Sequence, residues 1–324
     1  GDPRRPAGRR RHGRDPAGDL GGRAMKCRVC RGPAVLDVRR HNAAFCREHF
    51  LAHCTEQVRR TIAEHDMIGP GERVLVAVSG GKDSLALWDL LHGLGYDVDV
   101  LYLGLGIGDY SADSGSYARE FARARGLKIH EVDLAGDYGY TVPEAAAASR
   151  RPPCGACGLS KRHLFNQVAL ERGYEVVATG HNLDDEAAVL LGNVLRWEVD
   201  YLARQRPVLP ARPGFPRKVK PLVRLAERET AAYCVLAGIE YIVEECPMAA
   251  GNRHLGYKEV LNELEQRSPG TKAAFLHGFI DRVADSFERG ECAGAELVPC
   301  QSCGAPTTGE VCAFCRLRAR VHAE

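Results

Sequence analysis

The chain has 324 residues, of which 45% are hydrophobic and 27% are charged, and its formal net charge is +2. At about 150 residues per domain, this length predicts roughly two folded units with the composition of a globular protein. No uncharged apolar stretch approaches the roughly 18 residues that a membrane-spanning helix needs. The first 24 residues are rich in Arg, Gly and Pro and lack an apolar segment, which argues against a signal or transit peptide. We therefore expect a cytoplasmic protein that binds nucleic acid, if at all, through local patches of charge.

The next feature in chain order is a set of paired cysteines near both ends. Near the start, a Cys-x2-Cys pair is followed after 15 residues by Cys-x2-His. Near the end, a Cys-x2-Cys pair is followed after eight residues by a second Cys-x2-Cys pair. Both spacings are typical of tetrahedral zinc sites. The predicted ligands are Cys27, Cys30, Cys46 and His49 for the first zinc ion, and Cys300, Cys303, Cys312 and Cys315 for the second. Free or disulfide-bonded cysteines are the alternative. Among the six of the thirteen cysteines that are not predicted zinc ligands, Cys54 and Cys234 fit apolar helix faces and are predicted core residues, whereas Cys292 stays unassigned.

Between these modules, short apolar strands alternate with helices, which predicts a parallel sheet covered on both faces. The predicted strands are residues 73–78, 98–103, 129–134, 175–179 and 241–243. The predicted helices are residues 50–62, 84–91, 117–125, 160–172, 184–197, 226–237, 254–266 and 271–288. A Pro-rich segment over residues 207–221 interrupts the alternation.

The sequence SGGKDS at residues 79–84 follows the first of these strands and opens a helix. Glycines allow a ligand to come close to the backbone. Successive backbone amides at a helix N-terminus, together with the ammonium of Lys82, suit a phosphate group. Asp83 stands where a Walker A loop would have Ser or Thr, so the loop is of another type. An ordinary Gly turn is the alternative.

SGGKDS after an apolar strand resembles the PP-loop of the N-type ATP pyrophosphatases, which cleave ATP between the α and β phosphates. The run GHNLDDE at residues 180–186 is similar to a second element of that family. The resemblance implies phosphate contacts along the loop, adenine at the strand ends, and carboxylates near Mg²⁺. The implied ATP-binding residues are Ala77, Val78, Ser79, Gly80, Gly81, Lys82, Asp83, Ser84, Leu103, Lys161, Gly180 and Asp185.

The pair Cys154-x2-Cys157 has no second pair nearby in the sequence. It is open to three interpretations: a redox pair, half of a zinc site, or two ligands of an iron–sulfur cluster. Cys246 follows the predicted strand 241–243, so its loop is expected at the carboxyl edge of the sheet. All three cysteines are therefore expected to face the phosphate loop.

In chain order, these modules resemble the TtuA branch of the TtuA/TtcA tRNA 2-thiolation family over residues 27–315. The resemblance implies a [4Fe-4S] cluster held by Cys154, Cys157 and Cys246, with one iron left open for a sulfide. It also implies catalytic roles for these three cysteines, for Lys161, which would contact phosphate or the adenylate, and for Asp185. The segment before residue 25 and the extra cysteines depart from the family pattern without removing a motif residue.

The predicted organisation is a PP-loop ATP pyrophosphatase domain of α/β, HUP-like fold between two zinc-binding modules. Its predicted parts are a disordered arm (1–24), a zinc finger (25–52), the catalytic domain (53–250), a helical extension (251–292) and a zinc ribbon (293–324). Between residues 201 and 226 the sequence has seven basic residues and no acidic residue. We interpret this segment as a surface for tRNA phosphates, although a solvated linker would look similar. The basic residues are Arg204, Arg206, Arg212, Arg217, Lys218, Lys220 and Arg224.

These expectations combine into an ATP-dependent tRNA sulfurtransferase that adenylates the C2 oxygen of a uridine and replaces it with sulfur. The cofactors would be ATP, Mg²⁺, the cluster and two Zn²⁺. The family resemblance further implies a ubiquitin-like sulfur-carrier protein as donor and a homodimer, with the T-loop uridine at position 54 as the target. The alternatives are the wobble uridine at position 34, a PP-loop amide ligase, and a non-enzymatic zinc-ribbon RNA-binding protein.

Overall fold

The computed structural model of the chain describes residues 25–149, 152–249, 251, 253–288 and 297–323. The predicted arm (1–24) and Cys292 lie outside the described residues, as do the first residues of the predicted zinc ribbon. Within the described residues, no helix combines the length and the apolar character needed to cross a bilayer.

The amino-terminal module is a two-stranded antiparallel hairpin followed by a long helix. Strands β1 (Leu36–Val38) and β2 (Ala43–Phe45) pair through a turn in which Asn42 is left-handed, with φ 46°. Helix α1 (Arg47–Glu64) is longer than predicted and starts directly after Cys46, so His49 lies in its first turn. Its apolar face is buried in the main core, which fixes the module to the central domain.

The strands of the central sheet are β3 (Val74–Val78), β4 (Val98–Gly104), β5 (Ile129–Asp133), β6 (Val176–Thr179), β7 (Val208–Leu209) and β8 (Arg217–Val219). In the described residues, these six strands lie in the order β5-β4-β3-β6-β8-β7. The predicted parallel sheet is confirmed for five of them, and the edge strand β7 is antiparallel. The helices that accompany them are α2 (Lys82–Gly93), α3 (Gly108–Arg125), α4 (Leu134–Tyr138), α5 (Val142–Ser149), α6 (Pro153–Glu171), α7 (Leu183–Arg196), α8 (Val199–Leu202) and α9 (Glu227–Ala237).

Alternate residues of β3 show that both faces of the sheet are buried, as expected for parallel strands. Val74, Val76 and Val78 pack with α1, α2, α3 and α9, whereas Leu75 packs on the other side with α4, α5 and α6. A third apolar cluster joins α7 and α8 to the three helices that follow the sheet domain. These are α10 (Arg253–Arg267), α11 (Thr271–Arg282) and α12 (Ala284–Glu288).

Two predicted elements are wrong. Residues 241–243 are not a strand, because β8, from the Pro-rich segment, occupies the place beside β6. Instead, the backbone amide of Ile242 donates a 3.0 Å hydrogen bond to the carbonyl of Gly80. The single helix predicted over residues 271–288 is two helices, α11 and α12, which meet at Val283. The short strands β7 and β8 were missed because prolines obscured their apolar pattern.

The carboxyl-terminal module consists of β9 (Val298–Pro299), β10 (Pro306–Thr307) and α13 (Ala313–Val321). It packs on the same sheet face as α6. The buried ring of Phe314 stacks on His163 of α6 with 3.9 Å between the ring centroids and 11° between the planes. It also makes an edge contact with Tyr138. Phe314 therefore joins the module to the helix that carries Cys154 and Cys157.

We predict that Phe314→Ala lowers the free energy of unfolding by about 3–5 kcal/mol, because it removes a large side chain from a packed apolar cluster. Chemical denaturation followed by circular dichroism measures the change. Val298→Ala is the matched control, since Val298 is 43% exposed in the same module, and we expect it to change stability by at most about 0.5 kcal/mol. A loss for Phe314→Ala no larger than that of the control would contradict the proposed packing role.

Candidate functional site

The predicted phosphate loop turns sharply between β3 and α2, at the carboxyl edge of the sheet. Gly80 has φ +75°, and a Cβ built on it would lie 2.1 Å from the carbonyl oxygen of Ser114, so only glycine fits there. The Ser84 hydroxyl closes the turn: it accepts a hydrogen bond from the Ser79 amide at 3.1 Å and donates one to the Gly81 carbonyl at 3.0 Å. The turn leads directly into the N-terminus of α2, where backbone amides and the positive end of the helix dipole favour an anion.

A cavity of about 330 Å³ opens beside this loop, between the carboxyl ends of β3, β4 and β6. Its walls combine loop residues, strand ends, aromatic side chains of the β4–α3 region, and part of α6. Eight of the predicted ATP-binding residues line it: Ala77, Val78, Ser79, Asp83, Ser84, Leu103, Lys161 and Gly180. Apolar strand ends next to a polar loop suit a base and its phosphates, respectively.

The other four predicted ATP-binding residues do not line this cavity. Gly80 and Gly81 belong to the loop itself, while Lys82 and Asp185 belong to a network of ion pairs. The Lys82 ammonium lies 3.0 Å from Asp83 Oδ2 and 2.8 Å from Glu227 Oε1. Burial alone would lower the pKa of Lys82, but the carboxylates of Asp83 and Glu227 outweigh it and raise that pKa.

Glu227 is the centre of this network, and the sequence analysis missed it. Its second oxygen lies 3.1 Å from the ammonium of Lys258, which lies 2.6 Å from Asp185 Oδ1. Burial would raise the pKa of Glu227, but Lys82 and Lys258 together lower it to about 2. The sequence signal available for Glu227 was an acidic residue that opens a helix after a Pro-rich segment. For Lys258 on α10 there was no such signal in the sequence.

The predicted GHNLDDE element follows β6 and begins α7. Asn182 is the N-cap: its side-chain oxygen accepts a hydrogen bond from the backbone amide of Asp185 at 3.1 Å, and the Asp185 carboxylate accepts one from the backbone amide of Asn182. The side-chain Nδ2 of Asn182 also donates to Asp83 Oδ1 at 3.0 Å, which connects this element to the phosphate loop. The buried Asp184 carboxylate pairs with Lys272 and accepts from the Glu227 amide.

The three cysteines of the predicted cluster come together at the edge of the same cavity. Cys157, Cys246 and Lys161 line it, and the Cys154 sulfur lies 3.7 Å from the Met248 carbonyl beside Cys246. Burial and the neighbouring thiols of Cys157 and Cys246 raise the pKa of Cys154. Since α6 already begins at Pro153, the Cys-x2-Cys pair lies in its first turn, not before the helix as expected.

These thiols fit a multi-atom cluster better than a single ion. Two groups of cysteine and histidine in the described residues bring their ligand atoms within 4.8 Å of one another, and Cys154, Cys157 and Cys246 are not among them. An iron–sulfur cluster is held by thiolates spaced around a body of several atoms. Soft donors around a half-buried pocket suit that group.

The two groups that do converge are the predicted zinc ligand sets. In the first, His49 Nδ1 lies 3.1 Å from the Cys46 sulfur and 3.6 Å from the Cys27 sulfur. In the second, the Cys300 sulfur accepts from the amides of Ser302 and Cys312, at 3.4 Å and 3.2 Å. Four soft donors converging in this way can bind a metal ion, and both sets fit a tetrahedral structural zinc site.

The predicted basic surface divides into two classes. Four of its seven cations form ion pairs: Arg206 with Asp285, Arg217 with Glu72, Lys220 with Glu186, and Arg224 with Glu64. Arg204 lies over the ring of Tyr201, and Arg212 over that of Phe215. Lys218 is half-buried on β8.

Known proteins are similar to this chain over most of its length. A family model described as the N-terminal LIM domain of 2-thiouridine synthetase TtuA matches residues 26–51, and the PP-loop domain model matches residues 51–249. The chain is 53% identical to a tRNA-5-methyluridine(54) 2-sulfurtransferase of Thermus thermophilus, covering 90% of this chain and 91% of that protein. A protein of the same name from Pyrococcus horikoshii is 43% identical, covering 90% and 93%.

Among solved structures, the U34-tRNA thiolase NcsA from Methanococcus maripaludis, determined with its [4Fe-4S] cluster, is similar with a TM-score of 0.77. The two sequences are 26% identical, and the match covers 90% of this chain and 95% of the NcsA chain. The chain therefore belongs to the PP-loop family of tRNA 2-sulfurtransferases, in the branch that carries the TtuA LIM domain.

Proposed function

We propose that this chain is an ATP-dependent tRNA 2-sulfurtransferase that converts the T-loop 5-methyluridine at position 54 into its 2-thio form. The observation that carries the proposal is one cavity lined by the phosphate loop, by Lys161, and by Cys157 and Cys246. An activating nucleotide and a sulfur-bearing group would then meet at one substrate atom.

Position 54 is preferred over the wobble position on the basis of the relatives. Those from Thermus thermophilus and Pyrococcus horikoshii, at 53% and 43% identity, are named for position 54, whereas the U34 thiolase is 26% identical. A PP-loop amide ligase would not need thiols in the cavity. A zinc-ribbon RNA-binding protein would not need the cavity.

In the proposed reaction, the C2 oxygen of the uridine attacks the α-phosphorus of ATP and pyrophosphate leaves. The loop amides would bind the leaving phosphates, with Lys82 adding a positive charge from the ion-pair network beside the loop, and the strand ends would hold adenine. Sulfur then attacks C2, the C2–O bond breaks and AMP leaves with the original oxygen. Lys161, which lines the cavity together with loop residues and Cys157, would neutralise the adenylate.

Cys154, Cys157 and Cys246 would hold a [4Fe-4S] cluster through three thiolates, and the cluster would supply an open iron site for the sulfur. Asp83 and Asp185 would bind Mg²⁺ through their oxygens. Converging donors support one structural Zn²⁺ in each terminal module. We further propose that a ubiquitin-like carrier protein donates the sulfur and that the chain acts as a homodimer. The domain boundaries predicted above and a cytoplasmic location, which a tRNA substrate implies, are part of the same proposal.

Mass spectrometry of tRNA nucleosides tests the overall proposal directly. We expect tRNA from a deletion strain to lose 2-thioribothymidine and to regain it when the gene is restored. Loss of a wobble 2-thiouridine instead would show that the target is position 34. If neither nucleoside is lost, the proposed function is wrong.

Gly80→Ala should abolish ATP-dependent pyrophosphate release, because its Cβ would lie 2.1 Å from the Ser114 carbonyl oxygen. Gly81→Ala is the matched control: Gly81 has φ −86°, and its Cβ would meet its nearest neighbour at 3.5 Å. Release of pyrophosphate in the presence of tRNA is measured for both variants. Equal rates for the two would show that the tight turn is not what activity requires.

Lys82→Ala should abolish thiolation, because it removes the positive charge beside the phosphate loop and leaves the carboxylates of Asp83 and Glu227 without that partner. Circular dichroism verifies the fold, and pyrophosphate release gives the activity. Lys128→Ala removes an exposed lysine elsewhere and should leave the activity unchanged. Turnover near the wild-type rate in Lys82→Ala would rule out a phosphate contact.

Cys246→Ala should yield a protein that binds ATP but holds its cluster poorly and does not thiolate tRNA. Iron content, the absorption spectrum of anaerobically purified protein, and thiolation are measured for the Ala variants of all three cysteines. Cys54→Ala is the control: Cys54 is buried in the core away from the cavity, and the variant should lose only about 1 kcal/mol of stability. A redox pair predicts a dispensable Cys246, so wild-type turnover in that variant would exclude the cluster.

A further inference from the structure

The helical extension contributes one side chain to the network of ion pairs beside the phosphate loop. The ammonium of Lys258, on α10, lies 2.6 Å from Asp185 Oδ1 and 3.1 Å from Glu227 Oε2. Its side chain is 20% exposed, so both contacts are partly shielded from water. Lys258 does not line the nucleotide cavity. Any effect of Lys258 on the reaction would therefore pass through these two carboxylates.

Close packing of α10 on α7 brings Lys258 to this place. Gly192 follows Asp185 by about two turns of α7, so both residues lie on one face of that helix. A Cβ built on Gly192 would lie 2.7 Å from Tyr257 Cε2, which shows that the Tyr257 ring packs directly on the α7 backbone. Because Tyr257 precedes Lys258 in the chain, this contact holds the part of α10 that carries Lys258 against α7.

Asp185 is held at both of its carboxylate oxygens. Oδ1 accepts from the Lys258 ammonium, and Oδ2 accepts from the backbone amide of Asn182 at 3.1 Å. An ionised carboxylate has about four lone-pair directions, so one hydrogen bond on each oxygen fixes the plane of the group and leaves a lone pair on each oxygen. Those remaining lone pairs fit the proposed Mg²⁺, which prefers oxygen ligands. Lys258 therefore determines where they point.

The same contacts close into a ring that includes the phosphate loop. Three members lie in the first turn of a helix: Lys82 in α2, Asp185 in α7 and Glu227 in α9. Each of the two lysines lies between two carboxylates, so removal of either leaves carboxylates without a partner in a partly buried place. The order around the ring is Asp185, Lys258, Glu227, Lys82, Asp83 and Asn182.

We propose that Lys258 is a positioning residue for the adenylation step, which holds the Asp185 carboxylate in the direction that the reaction requires. This inference rests on the proposed function and deepens it, because it gives the helical extension a part in the chemistry. A lysine with a purely structural role would instead hold α7, α9 and α10 together, and its replacement would act through stability alone.

The test measures pyrophosphate release in the presence of tRNA, at varied ATP concentration, for Lys258→Met and Lys258→Arg. The Met side chain is unbranched and of similar length but carries no charge. We expect kcat to fall about tenfold to a hundredfold in Lys258→Met, the range that one lost charge-assisted hydrogen bond gives. The KM for ATP should stay within about threefold, since the loop amides are untouched.

Lys258→Arg keeps the positive charge and should turn over faster than Lys258→Met. The matched control is Arg267→Met, which removes a cation from the same helix. Arg267 is 79% exposed and pairs with Glu263 within α10, so this variant should keep the wild-type kcat. An Arg variant as slow as Lys258→Met would show that the charge is not what the reaction requires, and would contradict the proposal.

The melting temperature separates positioning from structure. We expect Lys258→Met to be folded, and its kcat is measured well below its melting temperature. A wild-type kcat in the folded variant would overturn the proposal. If Lys258→Met does not fold, Lys258→Gln, which is polar but uncharged, takes its place in the same assay. Failure of both variants to fold would assign Lys258 a structural role and would also overturn the proposal.

The affinity for an ATP analogue separates positioning from binding without any turnover. Isothermal titration calorimetry with α,β-methylene-ATP and Mg²⁺ should give a Kd for Lys258→Met within about threefold of wild type. A loss of affinity as large as the loss of kcat would make Lys258 a phosphate contact, and the positioning role would be wrong.

Failure of the proposed function would be visible in the wild-type enzyme. If the wild-type enzyme releases no pyrophosphate with tRNA, the proposed function and this inference are both wrong. If it releases pyrophosphate and Lys258→Met is slow, but position 54 gains no sulfur, only the proposed target is wrong. If position 54 is thiolated and Lys258→Met is as fast as wild type, only the role of Lys258 is wrong.

Discussion

The close approach of Gly80 to the Ser114 carbonyl is the constraint on which the candidate site depends. The phosphate loop is wedged between α3 and the segment that leads to Cys246, where the Ile242 amide bonds to the Gly80 carbonyl. This one residue thus fixes the loop amides, and through Ile242 it places a cysteine more than 90 residues after Cys154 at the same cavity. A side chain at position 80 would push apart all three segments.

Electrostatics provides the second organising element. Lys82, Glu227, Lys258 and Asp185 form a continuous chain of opposite charges that links α2, α9, α10 and α7. Such a chain neutralises groups that would repel one another or a ligand if they were isolated in a partly buried place. It also makes the helical extension a neighbour of the phosphate loop, so α10 contributes to the site as well as to the third apolar cluster.

Sequence patterns predicted those parts that depend on local chemistry. The zinc ligand sets, the phosphate loop and the alternating strands and helices each follow from residue type and spacing over short distances, and the order of motifs indicated the family. Glu227 and Lys258 were missed because their roles arise from contacts between helices far apart in the chain. The strand predicted at residues 241–243 was wrong because the place beside β6 is taken by β8, a pairing between segments that their local sequence does not reveal.

The stack of Phe314 on His163 has a consequence for how the parts of the molecule respond to one another. His163 lies two residues after Lys161, on the helix whose first turn holds Cys154 and Cys157. The proposed metal of the four-thiol module would be required for the folding of that module, so removal of the metal would withdraw the support from one side of α6. Chelation at the carboxyl end and loosening of the cavity wall that carries the thiols would then be two readouts of a single equilibrium.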